Sequence, residues 1–161
     1  MSDREFGFEI DVPVRNEWEN VALLVTSVQN CFNAMFSDVE GSQTVAMVTG
    51  ELLENAIKYG IWTGTDQHLR LRVRGRSKKA FVTVENPAGP AEVADLRRTL
   101  QWMDGHENAE AAFRARLLAI AQTADPDVSK LGIVRVAYQG RAVIKAEFVE
   151  PVLRVTAEVE L

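Results

Sequence analysis

Cysteine is almost absent from this chain. Cys31 is the only one in 161 residues, so no intramolecular disulfide can form and nothing points to an oxidising compartment. No apolar run approaches the roughly 20 residues that cross a bilayer. The opening Met1-Ser2-Asp3-Arg4-Glu5 lacks the charged and apolar regions of a signal peptide. A soluble cytoplasmic protein with no membrane association is the expectation. Excess positive charge is missing too: 18 Lys and Arg stand against 23 Asp and Glu, for a net charge of -5. Nucleic acid is therefore not an expected partner, because backbone binding is driven by clustered cations.

Histidine is equally sparse. His68 and His106 are isolated from each other and from Cys31, so no zinc site is expected. The three tryptophans, Trp18, Trp62 and Trp102, are dispersed rather than arranged as a stacking platform, which favours packing roles.

What is present is one domain's worth of patterned sequence. With 47% apolar residues, a single domain spanning 1–161 can bury one sizeable core. Phe6, Phe8, Ile10, Val12 and Val14 alternate with Glu5, Glu9 and Asp11, the period of a half-buried strand, and Pro13 marks it as an edge strand or its end. Asn16 and Glu19 form a capping box for a first helix, which carries Val21, Leu24, Val25, Val28, Phe32 and Met35 on one stripe and runs to about Phe36. After a loop from Ser37 to Gly41, Ser42 caps a second helix that ends at Gly60 as its C-terminal glycine.

Two strands follow, Leu69 to Gly75 and Ala80 to Asn86, joined by Arg76-Ser77-Lys78-Lys79. Leu69, Leu71, Val73, Val82 and Val84 face one side; Arg70, Arg72, Arg74, Thr83 and Glu85 face the other. Helices are predicted over Ala91–Met103, Glu107–Thr123 and Ser129–Tyr138, with breaks at Asp104-Gly105 and Asp125-Pro126-Asp127 and a stop at Gly140. Two strands, Ala142–Val149 and Val152–Leu161, close the chain. This order predicts a two-layer α/β sandwich: a mixed, largely antiparallel sheet with helices on one face.

The second helix contains Glu51-Leu52-Leu53-Glu54-Asn55-Ala56-Ile57-Lys58-Tyr59, with a carboxylate and a carboxamide four residues apart on one face and Lys58 near the same stripe. A Glu and Asn pair at that spacing is commonly just a solvated pair. Here the element order sets it in a context, and together they resemble the GHKL superfamily of ATP-binding domains, at its N-box. Within that superfamily the layout is most similar to the small anti-sigma-factor serine kinases of bacterial partner-switching systems.

The resemblance implies a Bergerat-type fold binding ATP and Mg2+, with Glu51 as general base, Asn55 as the Mg2+ ligand and Lys58 close to the phosphates. It implies an adenine-reading residue at the end of the hairpin strand, where this chain has Asn86. It then has Pro87-Ala88-Gly89-Pro90, so Gly89 alone stands where the family pattern has paired glycines. An amide can still present its carbonyl to an amine; the other reading of these residues is a plain strand-ending turn.

A glycine-rich phosphate loop is implied at Ser129-Lys130-Leu131-Gly132, with Lys130 and Gly132 as its binding residues and Ser129 alternatively a simple N-cap. The implied partner is a regulatory protein, antagonist-like or sigma-factor-like, which the chain phosphorylates or sequesters; a homodimer stays open. The alternative is a catalytically degenerate relative that keeps the fold for protein interaction, with weak or no nucleotide binding. The stripe Arg70, Arg72, Arg74 and Arg76 is either a solubilising strand face or a dock, for an acidic partner before a nucleic acid.

Overall fold

The computed structural model describes residues 5–13, 19–62, 68–122 and 131–161. Strand β1 (Phe6–Pro13) leads to helices α1 (Glu19–Phe36) and α2 (Val39–Tyr59), and then to the hairpin β2 (His68–Arg76) and β3 (Lys79–Pro87). Helices α3 (Pro90–Asp104), α4 (Ala109–Gln122) and α5 (Leu131–Gln139) follow, before a second hairpin, β4 (Ala142–Val149) and β5 (Val152–Glu160). The sheet order is β1-β2-β3-β5-β4, and all its pairings are antiparallel. The protein is a two-layer α/β sandwich.

Alternation in the strands builds the two faces. Ile10, Leu71, Val84, Val155 and Ala146 stand in register across the five strands and face the helices. On the other face, Asp11, Arg70, Glu85, Arg154 and Glu147 make a row of alternating charge. Successive members lie 3.6, 3.9, 2.8 and 3.6 Å apart. Arg72 and Arg74 are likewise met by Glu9 and Glu5, each at 3.0 Å. Arg70, Arg72 and Arg74 are thus answered by carboxylates of their own sheet. Pro13 ends β1, which is an edge strand as its sequence predicts.

Helix α2 lies against α1, α5 and the middle of the sheet, burying Val45, Val48, Leu52, Leu53 and Ala56. Each large apolar side chain so buried contributes about 1.5–3 kcal/mol of transfer free energy. Its start differs from expectation: Asp38 is the N-cap, accepting from the Gly41 N–H at 2.9 Å, and α2 begins at Val39. Ser42 lies inside the first turns, buried, with its hydroxyl donating to the Val39 carbonyl at 2.7 Å. Both residues are good caps, and the one preceding Val39 captures the free N–H first.

Two further details depart from the sequence reading. Met35 is 41% exposed, while Phe36, four residues after Phe32, takes the inner position and stacks on it at 4.6 Å. Gly60 closes α2 in extended conformation (φ -69°), with its N–H on the Ala56 carbonyl. A side chain there would strike that carbonyl and the Trp62 ring, so close approach is what requires glycine. The capping box at Asn16 and Glu19, the Asp125-Pro126-Asp127 turn and the Ser129 cap lie outside the described residues or side chains.

Candidate functional site

A cleft of about 60 Å³ opens between α2, α3, the start of α5 and the inner face of β3 and β5. Leu52 and Ala56 of α2, Val84 of β3, Ile133 of α5 and Leu153 and Val155 of β5 give it apolar walls. Asn55, Tyr59 and Asn86 supply polar groups, and Glu92, Asp95 and Thr99 add a polar stripe from α3 at helical spacing. An apolar slot with a few convergent polar groups is what a small planar ligand needs.

Asn86 is placed there by strand parity. It shares the inner face with Val82 and Val84, opposite Leu153, and is 3% exposed. Its amide nitrogen donates one hydrogen to the Pro87 carbonyl at 3.0 Å, so the amide oxygen and the second N–H are the groups it can offer the cleft. The strand end is pinned: Ile61 N–H donates to the Pro87 carbonyl and Ala88 N–H to the Pro151 carbonyl, each at 2.9 Å. Gly89 is the N-cap of α3. A side chain on it would meet the Glu92 carboxylate at 2.6 Å and Ile61 at 3.0 Å, so its bareness lets the first turn of α3 fold close.

Glu51 stands one turn before Asn55 on α2 and lines an adjoining open groove with Val21, Val25, Met47, Glu54 and Arg135. Its carboxylate is 18% exposed and paired with the Arg135 guanidinium at 3.0 Å. Burial pushes its pKa up; Arg135 pulls it back, Glu54 adds to the rise, and the net direction is upward. A carboxyl so raised is a better proton acceptor than an exposed one.

Gly132, near the start of α5, lies against α2 beside Glu51 and Asn55. A Cβ on it would lie 2.6 Å from the Glu51 carboxylate and 4.0 Å from the Asn55 amide oxygen. The structure therefore brings Glu51, Asn55 and Gly132 together, and sets Asn86 across the same cleft from Asn55. Lys58 is exposed, with Nζ 5.5 Å from the Tyr59 ring centroid, and does not line the cleft. Lys130 lies outside the described residues.

The protein resembles in fold a chain of the SiaB-SiaC complex from Pseudomonas aeruginosa, with a TM-score of 0.66 and 13% identity over 96% of this chain and 89% of that one. The likeness is one of fold. No family model matches the chain, and no curated protein matches it. Among the described residues no helix is long and apolar enough to cross a membrane.

A purine nucleotide and Mg2+ fit the donor set in part. The apolar slot and the Asn86 oxygen suit a base with an exocyclic amine, and the Asn55 oxygen suits a hard cation. The bare backbone at Gly132 and the N-terminus of α5 suit phosphate. Against this, none of the described residues lining the cleft is cationic, and Glu92 and Asp95 add negative charge. Sequence reasoning missed Arg135 and the Glu92, Asp95 and Thr99 stripe. Arg135 sits three residues after Gly132, and so on its helix face, which was the available signal.

Proposed function

We propose that this protein is an ATP- and Mg2+-binding regulator of the partner-switching type, related to GHKL domains, which phosphorylates or sequesters a protein partner. ATP would supply the phosphoryl group, and Mg2+ the positive charge its oxygens require. Asn86 offers its amide oxygen to the base, and the slot of Leu52, Ala56, Val84 and Ile133 excludes water around it. Asn55 offers an oxygen to the cation, and the backbone at Gly132 receives phosphate. Glu51 takes the proton of an incoming Ser or Thr hydroxyl.

The observation that carries this reading is the convergence of Glu51, Asn55 and Gly132 where the groove lined by Glu51 adjoins the cleft lined by Asn55 and Asn86. The structural neighbour comes from a two-protein complex, which supports a protein as the partner. Incubation with candidate partners and γ-labelled ATP tests the transfer: label should pass to a Ser or Thr, and Glu51→Gln should abolish it. Undiminished labelling by that variant removes Glu51 as the base.

A second reading is a degenerate interaction module that keeps the fold without catalysis. The Glu51–Arg135 ion pair favours it, since a base held by a guanidinium is less free to accept a proton. Capture of a protein partner by a folded wild type that shows no binding of Mg-ATP would support this reading instead.

A further inference from the structure

The two edges of the sheet are built differently. β1 ends in Pro13 and bears Glu9 and Asp11, both engaged by β2 arginines and so turned inward to their own sheet. β4 contains no proline, and among the described residues no strand pairs with its outer side. Its wet face also shows Val143 at 59% and Val149 at 79% exposure. An open edge with apolar side chains is a template for another strand unless it is blocked.

The sequence of β4 says which strand fits. Turned about a two-fold axis at Ala146, it faces itself with Lys145 opposite Glu147, Val143 opposite Val149 and Ile144 opposite Phe148. All three pairs match in character and in face. Shifting the axis by one residue either way sets Lys145 against Lys145 or Glu147 against Glu147, so charge disfavours both neighbouring registers.

The charge row across the sheet points the same way. Asp11, Arg70, Glu85, Arg154 and Glu147 alternate in sign and stop at β4 with a carboxylate that is 69% exposed. In this register the next residue is a second copy's Lys145, which continues the alternation. On the helix side, an open groove of about 310 Å³ between Phe148 and the α3 residues Val93, Ala94 and Gln101 lies where the second copy's Ile144 would enter. Arg97 and Arg98 flank that groove and remain at its solvent rim.

We infer that this chain forms a two-fold homodimer by antiparallel pairing of β4 with β4 of a second copy, making one ten-stranded sheet. The dimer is independent of nucleotide, so its failure would leave the proposed function untouched.

Sedimentation equilibrium of the full chain tests it. The wild type should be a dimer. Lys145→Glu and Glu147→Lys should each weaken it by about tenfold, since each reverses two symmetric pairs. The double variant should restore it. Val149→Arg, at a position whose side chain is already in solvent, should give a folded monomer by circular dichroism. A wild type that stays monomeric, a dimer indifferent to the single changes or to Val149→Arg, or a folded double variant that remains monomeric overturns the inference.

Discussion

The cleft at Asn86 and the groove that adjoins it at Glu51 are held in opposite ways. At the Asn86 end, polar groups are fixed by the backbone: a strand terminus pinned by two main-chain hydrogen bonds, with a buried amide whose nitrogen is already engaged. At the Glu51 end, the groups are held by each other: a carboxylate desolvated on α2, a guanidinium from α5, and a glycine between them. The first end can recognise a shape and can change little. The second holds charge that other side chains alone keep in place, and in the proposed function it is where the proton and phosphoryl chemistry takes place.

The sharpest way to break this comparison is at Asn86. Asn86→Asp removes the donor to the Pro87 carbonyl and buries a charge, and should destabilise the ligand-free protein by about 1–3 kcal/mol in urea denaturation. An unchanged denaturation midpoint would mean that the Asn86 end is not rigidly held. Next in size is Arg135→Ala, which leaves Glu51 without its partner. Arg135 is 44% exposed, so solvent screening keeps the loss below about 1 kcal/mol. A loss comparable to that at Asn86 would erase the distinction between the ends.

The pH dependence of Glu51 sharpens the same point. Its folded pKa is raised above the ordinary 4.5, so the folded state binds the proton more tightly than the unfolded one. Stability attributable to this carboxyl is therefore present in full below 4.5 and is lost as pH rises through the folded value. Melting curves of wild type and Glu51→Gln from acid to neutral pH should diverge upward through that window, with the variant gaining relative to wild type. Parallel curves would mean that burial does not strain Glu51. The smallest effect is expected far from the cleft: Arg72→Ala, on the wet sheet face, should change stability by no more than about 0.5 kcal/mol.

The fold was largely legible because its elements are announced locally. The alternation at Leu69–Leu71–Val73 and Val82–Val84 fixes the inner face, and Pro13 and Gly140 punctuate where the chain stops pairing or coiling. Boundaries slipped where two residues compete for one role, as Asp38 and Ser42 do for the cap of α2. The site was legible in part. Glu51 and Asn55 share a helix, so their spacing fixes their proximity, and Asn86 follows from strand parity. The encounter of Gly132 and Arg135 with Glu51 joins residues more than 80 positions apart in sequence, and only the packing of α5 on α2 creates it. Lys58 illustrates the converse, since helical spacing puts it near the stripe but one turn further round it reaches solvent.

Isothermal titration of Mg-ATP into the wild type and Asn55→Ala tests the central claim most directly. The account predicts saturable binding by the wild type, lost in Asn55→Ala while the variant stays folded, with a matching rise in wild-type melting temperature. No heat and no melting shift at millimolar Mg-ATP would contradict it.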